Sequence, residues 1–349
     1  MDGSAPSRPS SDAELLIIGA GPVGLYACYY AGFRGLETIV LETLPFSGGQ
    51  ISAFYPDAEI FDVPGFTGVR GRELAAALDR QAREFGAEIR LGREVLSLER
   101  EADALRIEAR VGSDAAAAPE SISAQAVLLT VGIGPFSAQR IKDPAIDSFE
   151  ARGLLYDEPP PDALRGRRVM VLGGSAYAVQ SALAAAAAGA AAVLLVHRRD
   201  RLAPTAGGAE ALAAAGVQFL SFRDLASLEG EGSVRTEVLT DRRSGERESH
   251  PVDLVLPRFG VAARGDALAI LGASPDGTFA VDSRMATGVP GLWAAGDAAT
   301  YPGKVKVLAA AFGEACTAVN NIAAELIPGA SVFPGYSSHA RHPARRRQR

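Results

Sequence analysis

Two α/β domains are predicted, each a parallel sheet between helical layers, with one domain inserted in the other. Three observations predict this. A strand, glycine turn, helix and second strand follow one another over residues 14–42. The pattern recurs over residues 169–200, and a third strand runs into Gly296-Asp297 and a long small-residue helix. At 349 residues and 48% hydrophobic content, the chain has room for about two globular domains.

In the first unit, residues 14–18 form a short apolar run suited to a buried parallel strand. Gly19-x-Gly21-x-x-Gly24 follows, residues 25–32 read as a helix, and residues 38–41 as a strand ending at Glu42. Each residue type has a physical role. Gly19 permits the tight turn, Gly21 admits a pyrophosphate close to the backbone, and Gly24 lets helix and strand pack closely. The helix N-terminus faces the phosphates, and Glu42 can accept hydrogen bonds from ribose hydroxyls. This unit is expected to bind a dinucleotide.

In the second unit, residues 169–172 form the strand and Gly173-x-Ser175-x-x-Ala178 opens a helix running through an alanine tract to about residue 188. Residues 193–196 form the next strand, which ends in His197, Arg198 and Arg199. A carboxylate at a strand end suits a free ribose hydroxyl, whereas guanidinium groups suit a 2′-phosphate. The pair of units therefore points to FAD first and NADPH second. Ser175 stands where a glycine is expected. Its Cβ would crowd the pyrophosphate or open the loop, and backbone strain there would cost about 1–3 kcal/mol. Both units are Rossmann-like three-layer nucleotide-binding domains.

Charge and composition exclude several classes. Lysine and arginine number 35 against 41 aspartates and glutamates, a net charge of −6, which argues against a general nucleic-acid binder. No apolar run reaches the roughly 20 residues of a membrane helix. Residues 1–13 read as a flexible leader without the apolar core of a signal peptide, so the chain is expected in the cytoplasm, away from the membrane. The two cysteines, Cys28 and Cys316, form no CxxC pair and read as packed core thiols. The four histidines lack metal-ligand spacing.

The order of these elements resembles the thioredoxin-reductase-like ferredoxin–NADP+ reductases over residues 14–339. Beyond the two βαβ units, Gly48-Gly49-Gln50, Tyr55-Pro56, Asp62-Val63, Gly65-Phe66 and Gly296-Asp297 with Thr300-Tyr301-Pro302-Gly303-Lys304 carry the resemblance. It implies FAD contacts at Gly19, Gly21, Gly24, Glu42, Gln50, Tyr55, Val95, Phe136, Asp297 and Ser338. The second turn and its strand end are expected to meet NADPH at Gly173, Ser175, Ala178, Arg198 and Arg199, although Ser175 and Ala176 depart from the family's glycine and aspartate. Tyr55 and Tyr336 would lie against the flavin, the second from the partner subunit of a homodimer, and neither is an acid–base catalyst. The FAD domain would be discontinuous, 14–140 and 260–339, with the NADPH domain inserted at 141–259 between flexible tails, 1–13 and 340–349.

The implied reaction is hydride exchange between NADPH and flavin, then one-electron transfer to ferredoxin or flavodoxin. The basic tail would help attract an acidic ferredoxin. Two alternatives remain open on the same scaffold: a small-molecule disulfide or quinone reductase, and a flavin-binding sensor without NADPH turnover.

Overall fold

The computed structural model describes residues 11–101, 104–111, 118–134, 136–156, 159–202, 208–259, 261–263, 269–336 and 338. The chain divides into two compact units, Met1–Pro135 with Ala263–Arg349, and Phe136–Ala262. The sequence reading places these junctions at 140/141 and 259/260. The leader up to residue 10 and the basic tail lie outside the described residues.

The first unit is built on a seven-stranded sheet. Its parallel part runs Glu88–Leu91, Thr38–Glu42, Ala13–Ile18, Glu120–Leu129 and Leu292–Ala294. Ala13–Ile18 is buried at every position, as a central parallel strand covered on both faces must be. The helix Pro22–Arg34 starts with proline at its first position and ends on Gly35 in the left-handed region. Its small buried residues Ala27, Cys28 and Ala31 belong to one core with Ala315, Ala318, Val319 and Ile322 of the helix Leu308–Leu326. The charged stretch near residue 100 forms a hairpin, Arg93–Arg100 against Leu105–Val111.

The second unit carries a four-stranded parallel sheet ordered Gln218–Ser221, Ala192–His197, Arg168–Leu172 and Leu254–Pro257. Pro257 ends its strand and so interrupts no further pairing. The alanine tract lies in the helix Ala176–Ala187. A three-stranded antiparallel meander, Arg223–Glu229, Thr236–Asp241 and Arg247–Pro251, completes the unit. Arg258, which reads in sequence as part of a link, is instead 1% exposed.

Candidate nucleotide sites

Sterics explain the first glycine turn. A Cβ on Gly19, whose φ is +104°, would lie 2.6 Å from the Thr130 carbonyl oxygen. A Cβ on Gly24 would lie 1.9 Å from the Gly19 oxygen, so helix and turn meet backbone to backbone. Thr130 tightens this contact: its Oγ1 lies 2.9 Å from the Gly19 oxygen and 3.1 Å from that of Ile18. Gly21 differs. A Cβ there would meet no protein atom within 4 Å. Protein packing does not require glycine at that position, and the open space there is what close approach of a ligand would need. The following helix has no side-chain cap and no acid in its first turn, so its leading N–H groups are free of side-chain competition.

Glu42 is buried, and its carboxylate accepts from the Ala20 N–H at 2.7 Å and the Leu44 N–H at 2.9 Å. Burial raises its pKa, and the backbone donors oppose that rise. The carboxylate thus holds the glycine turn and still has lone pairs left to accept from a further donor. Gln50 is brought to the same place: a Cβ on Gly132 would lie 3.3 Å from its Nε2, and its neighbour Gly49 faces the Gly21 Cα. Val95 lies on the adjoining hairpin and packs against the second core of this unit.

Asp297 sits partly exposed in a 3-10 turn, Gly296–Ala298, which packs by Gly296 against Val23 at the start of the first helix. Three side chains that the sequence reading did not assign roles hold this turn. Glu314 accepts from the Gly296 N–H at 2.8 Å and from the Tyr301 hydroxyl at 2.6 Å, and it pairs with Lys304. Lys304 donates in turn to the Gly296 oxygen at 2.8 Å. The bond to the Glu314 carboxylate, with burial, pushes Tyr301 up to about 12. The signal for Glu314 was a single acid within the apolar face of a small-residue helix.

The second turn keeps the same backbone plan. The Gly19 N–H donates to the Leu41 oxygen at 2.8 Å, and the Gly173 N–H to that of Val196 at 2.9 Å. The Thr130 N–H donates to Ile18, and the Arg258 N–H to Leu172. A Cβ on Gly173, whose φ is +146°, would lie 2.4 Å from the Arg258 oxygen, as one on Gly19 would meet Thr130. These registers make His197 the structural counterpart of Glu42. Arg198 and Arg199 follow one and two positions later, exposed to solvent. The His197 ring abuts Gly174, and burial followed by the two arginine charges lowers its pKa, which favours neutral imidazole at pH 7.

Ser175 carries no backbone strain. Its φ of −76° and ψ of 165° are ordinary extended values, against −68° and −178° at Gly21. Its hydroxyl caps the helix by accepting from the Ala178 N–H at 3.2 Å, and donates to the Arg258 oxygen at 3.3 Å. The expected strain cost is therefore absent, because an N-cap position asks for extended backbone that serine adopts freely.

The flavin-face residues are less gathered. Tyr55 is 39% exposed, edge-on to Phe54. Tyr336 is 68% exposed and packs edge-on against Phe333. Arg34 pins the preceding chain by donating to the oxygens of Ser331 at 2.8 Å and Val332 at 3.3 Å. Arg34 ends a 13-residue helix that begins beside Gly21, so this anchor is about 20 Å from the first glycine turn. Ser338 is exposed, and the Phe136 side chain lies outside the described residues.

Neither thiol is set up as a nucleophile. Cys28 is buried and pushed up to about 12 by desolvation, while Cys316 donates to the Tyr26 hydroxyl at 3.5 Å and is raised by burial. Among the described residues no group of side chains could hold a metal ion, and no helix is long and apolar enough to cross a membrane.

Known proteins share this arrangement. A family model described as pyridine nucleotide-disulphide oxidoreductase matches residues 13–315. The chain is 40% identical to the ferredoxin–NADP reductase of Frankia alni over 325 residues, 93% of this chain and 98% of that protein. It is 40% identical to that of Saccharopolyspora erythraea over 329 residues, 94% and 98% of the two chains. Among solved structures, T. acidophilum thioredoxin reductase superposes with a TM-score of 0.71 at 24% identity, covering 90% of this chain and 99% of that one. At that identity the likeness speaks for the fold alone.

Proposed function

Because the chain belongs to the pyridine nucleotide-disulphide oxidoreductase family, we propose that it acts as a ferredoxin–NADP reductase, with ferredoxin or flavodoxin as its partner. It is an NADPH-dependent flavin oxidoreductase with FAD as cofactor. Bound FAD supplies hydride exchange with NADPH and release of electrons one at a time. The protein's own residues bind, orient and shield. The turn through Gly19, Gly21 and Gly24 would receive the FAD pyrophosphate, Glu42 would hold that turn and a ribose, and Gln50 and Asp297 would add further contacts. Val95, Phe136 and Ser338 complete the FAD contacts in this reading. The turn through Gly173, Ser175 and Ala178 receives NADPH, and Arg198 and Arg199 read its 2′-phosphate.

The observation that carries this reading is the pair of equivalent turns, with a buried carboxylate at the strand end of one unit and exposed arginines just past His197 at that of the other. Tyr55 and Tyr336 lie on the flavin faces. The anchor of the Tyr336 segment, at the far end of the first helix from its own glycine turn, supports a homodimer in which Tyr336 covers the partner's flavin. We place the enzyme in the cytoplasm. A small-disulfide reductase working through a cysteine thiol is disfavoured, since both cysteines have raised pKa values.

Anaerobic stopped-flow reduction of the flavin tests the proposal. Rapid bleaching by NADPH and slow bleaching by NADH is expected, followed by reoxidation on adding ferredoxin. Equal rates with the two nucleotides would remove the arginines from 2′-phosphate recognition. Reoxidation by a low-molecular-weight disulfide but not by ferredoxin would replace the acceptor.

A further inference from the structure

We propose that Arg258 is a positioning residue for the second glycine turn, holding Ser175 and the start of the helix Ala176–Ala187 in the geometry that receives the pyrophosphate of NADPH. This rests on the reading of that turn as the NADPH site. The starting point is the equivalence of Thr130 and Arg258. Each follows the strand paired with the central strand of its sheet, and each carbonyl abuts the first glycine of a turn. At Thr130 the side chain is short and returns to the Gly19 oxygen, while Gly24 packs directly on the turn. The second turn has Ala178 in place of that third glycine, so the same backbone-to-backbone closure is not available to it.

Arg258 supplies another fastening. A guanidinium 1% exposed is costly to bury unless its donors are satisfied. Its Nε donates to the Ser181 Oγ at 3.1 Å, and its Nη1 to the oxygens of Tyr156 at 2.9 Å, Pro257 at 3.0 Å and Leu155 at 3.3 Å. Its Cζ lies 5.2 Å from the centre of the Tyr177 ring. Tyr177 and Ser181 are one turn apart on the same helix face. One side chain therefore spans the first two turns of the helix, and the backbone oxygen of the same residue accepts the Ser175 hydroxyl. A planar fork of five donors does this, and a lysine ammonium would not reproduce it.

The test is calorimetric titration of NADP+ into FAD-loaded Arg258→Met and Arg258→Lys, with steady-state kinetics on NADPH and flavin content alongside. The Kd for NADP+ and the KM for NADPH are expected to rise about tenfold in both, as for loss of one or two hydrogen-bonded fastenings. kcat should stay within about twofold and flavin content should not change, a split that a general loss of packing would not produce. An unchanged Kd in folded Arg258→Met overturns the proposal. If that variant does not fold, Ser181→Ala takes away the Nε acceptor and should raise Kd about threefold; an unchanged Kd there overturns the proposal equally. Arg198→Ala separates the two levels. No effect from Arg198→Ala and Arg258→Met together overturns the NADPH reading itself, whereas no effect from Arg258→Met alone overturns only the positioning role.

Discussion

Gly21 and Ser175 occupy the same place in their two units, at the start of a helix, with φ of −68° and −76°. The backbone does not distinguish them. What distinguishes them is the side of the turn left open. Gly21 leaves it bare and its helix without a cap, which would let a ligand meet the helix directly. Ser175 turns its hydroxyl inward to cap its own helix and touch Arg258. The flanking residues follow suit. The first turn is closed by backbone contact through Gly24 and by Glu42 bonded to the turn; the second by Arg258 and by a histidine ring against Gly174. A glycine signature thus combines two demands, one from chain packing and one from the ligand, and a turn can drop one while keeping the other.

The largest effect should come from the packing demand. Gly24→Ala places a Cβ on the Gly19 oxygen and should destabilise the first unit by about 3 kcal/mol or more, with loss of flavin. Ala178→Gly, the matching change in the second turn, should cost under about 1 kcal/mol of helix propensity. Thermal unfolding and flavin content read both, and similar losses would erase the distinction between the turns.

The two units also differ in how they treat a buried acid. Glu42 has both oxygens hydrogen-bonded, whereas Glu237 is 0% exposed with no hydrogen bond to either oxygen from another of the described residues. Burial pushes Glu237 up to about 7, against partial relief from its own backbone N–H and then from Arg168. An acid with its folded pKa raised favours the fold at low pH. That stability is lost as pH rises from about 4.5 through 7, by up to about 3 kcal/mol. Glu237→Gln should flatten this dependence, seen as a smaller fall in unfolding temperature between pH 5 and pH 8; an unaltered fall would show that Glu237 is not its source.

Next in size is cofactor choice. Arg198→Ala with Arg199→Ala should reduce the preference for NADPH over NADH by roughly 10- to 100-fold in kcat/KM, as for loss of charge-assisted bonds to phosphate. A preference that survives would move 2′-phosphate recognition elsewhere. The smallest effect belongs to Ser175→Gly. With no strain to release, NADP+ affinity should shift by less than about threefold, while Ser175→Ala loses the cap at about 1 kcal/mol. Tenfold tighter binding in Ser175→Gly, measured by calorimetry, would restore crowding of the pyrophosphate as the property of this serine.

The parts legible in the sequence are those written locally. Apolar strand runs, glycine spacing and the alanine helix specify the two βαβ units because each signal lies within a few neighbouring residues. Register is not local. The strand-end arginines read as the counterpart of Glu42, yet pairing with the central strand gives that place to His197. Arg258 beside a proline reads as a link because its partners, Ser181 and Tyr156, are 77 and 102 residues away. Glu314 is hidden in the same way, since the turn it holds lies 18 residues earlier and only the folded helix brings it there.

The strand Leu292–Ala294 pairs with residues 127–129 of a sheet whose other parallel strands all come from the first 129 residues. That placement sets an order on the ribosome. The first unit emerges with one edge of its parallel sheet unpaired, and waits until residues 130–291 have been made before the closing strand arrives. The second unit, contained within Phe136–Ala262, has all its strands in hand before then. The half that begins the chain is therefore the half that finishes folding last, and during translation its exposed strand edge is where aggregation or chaperone capture would begin.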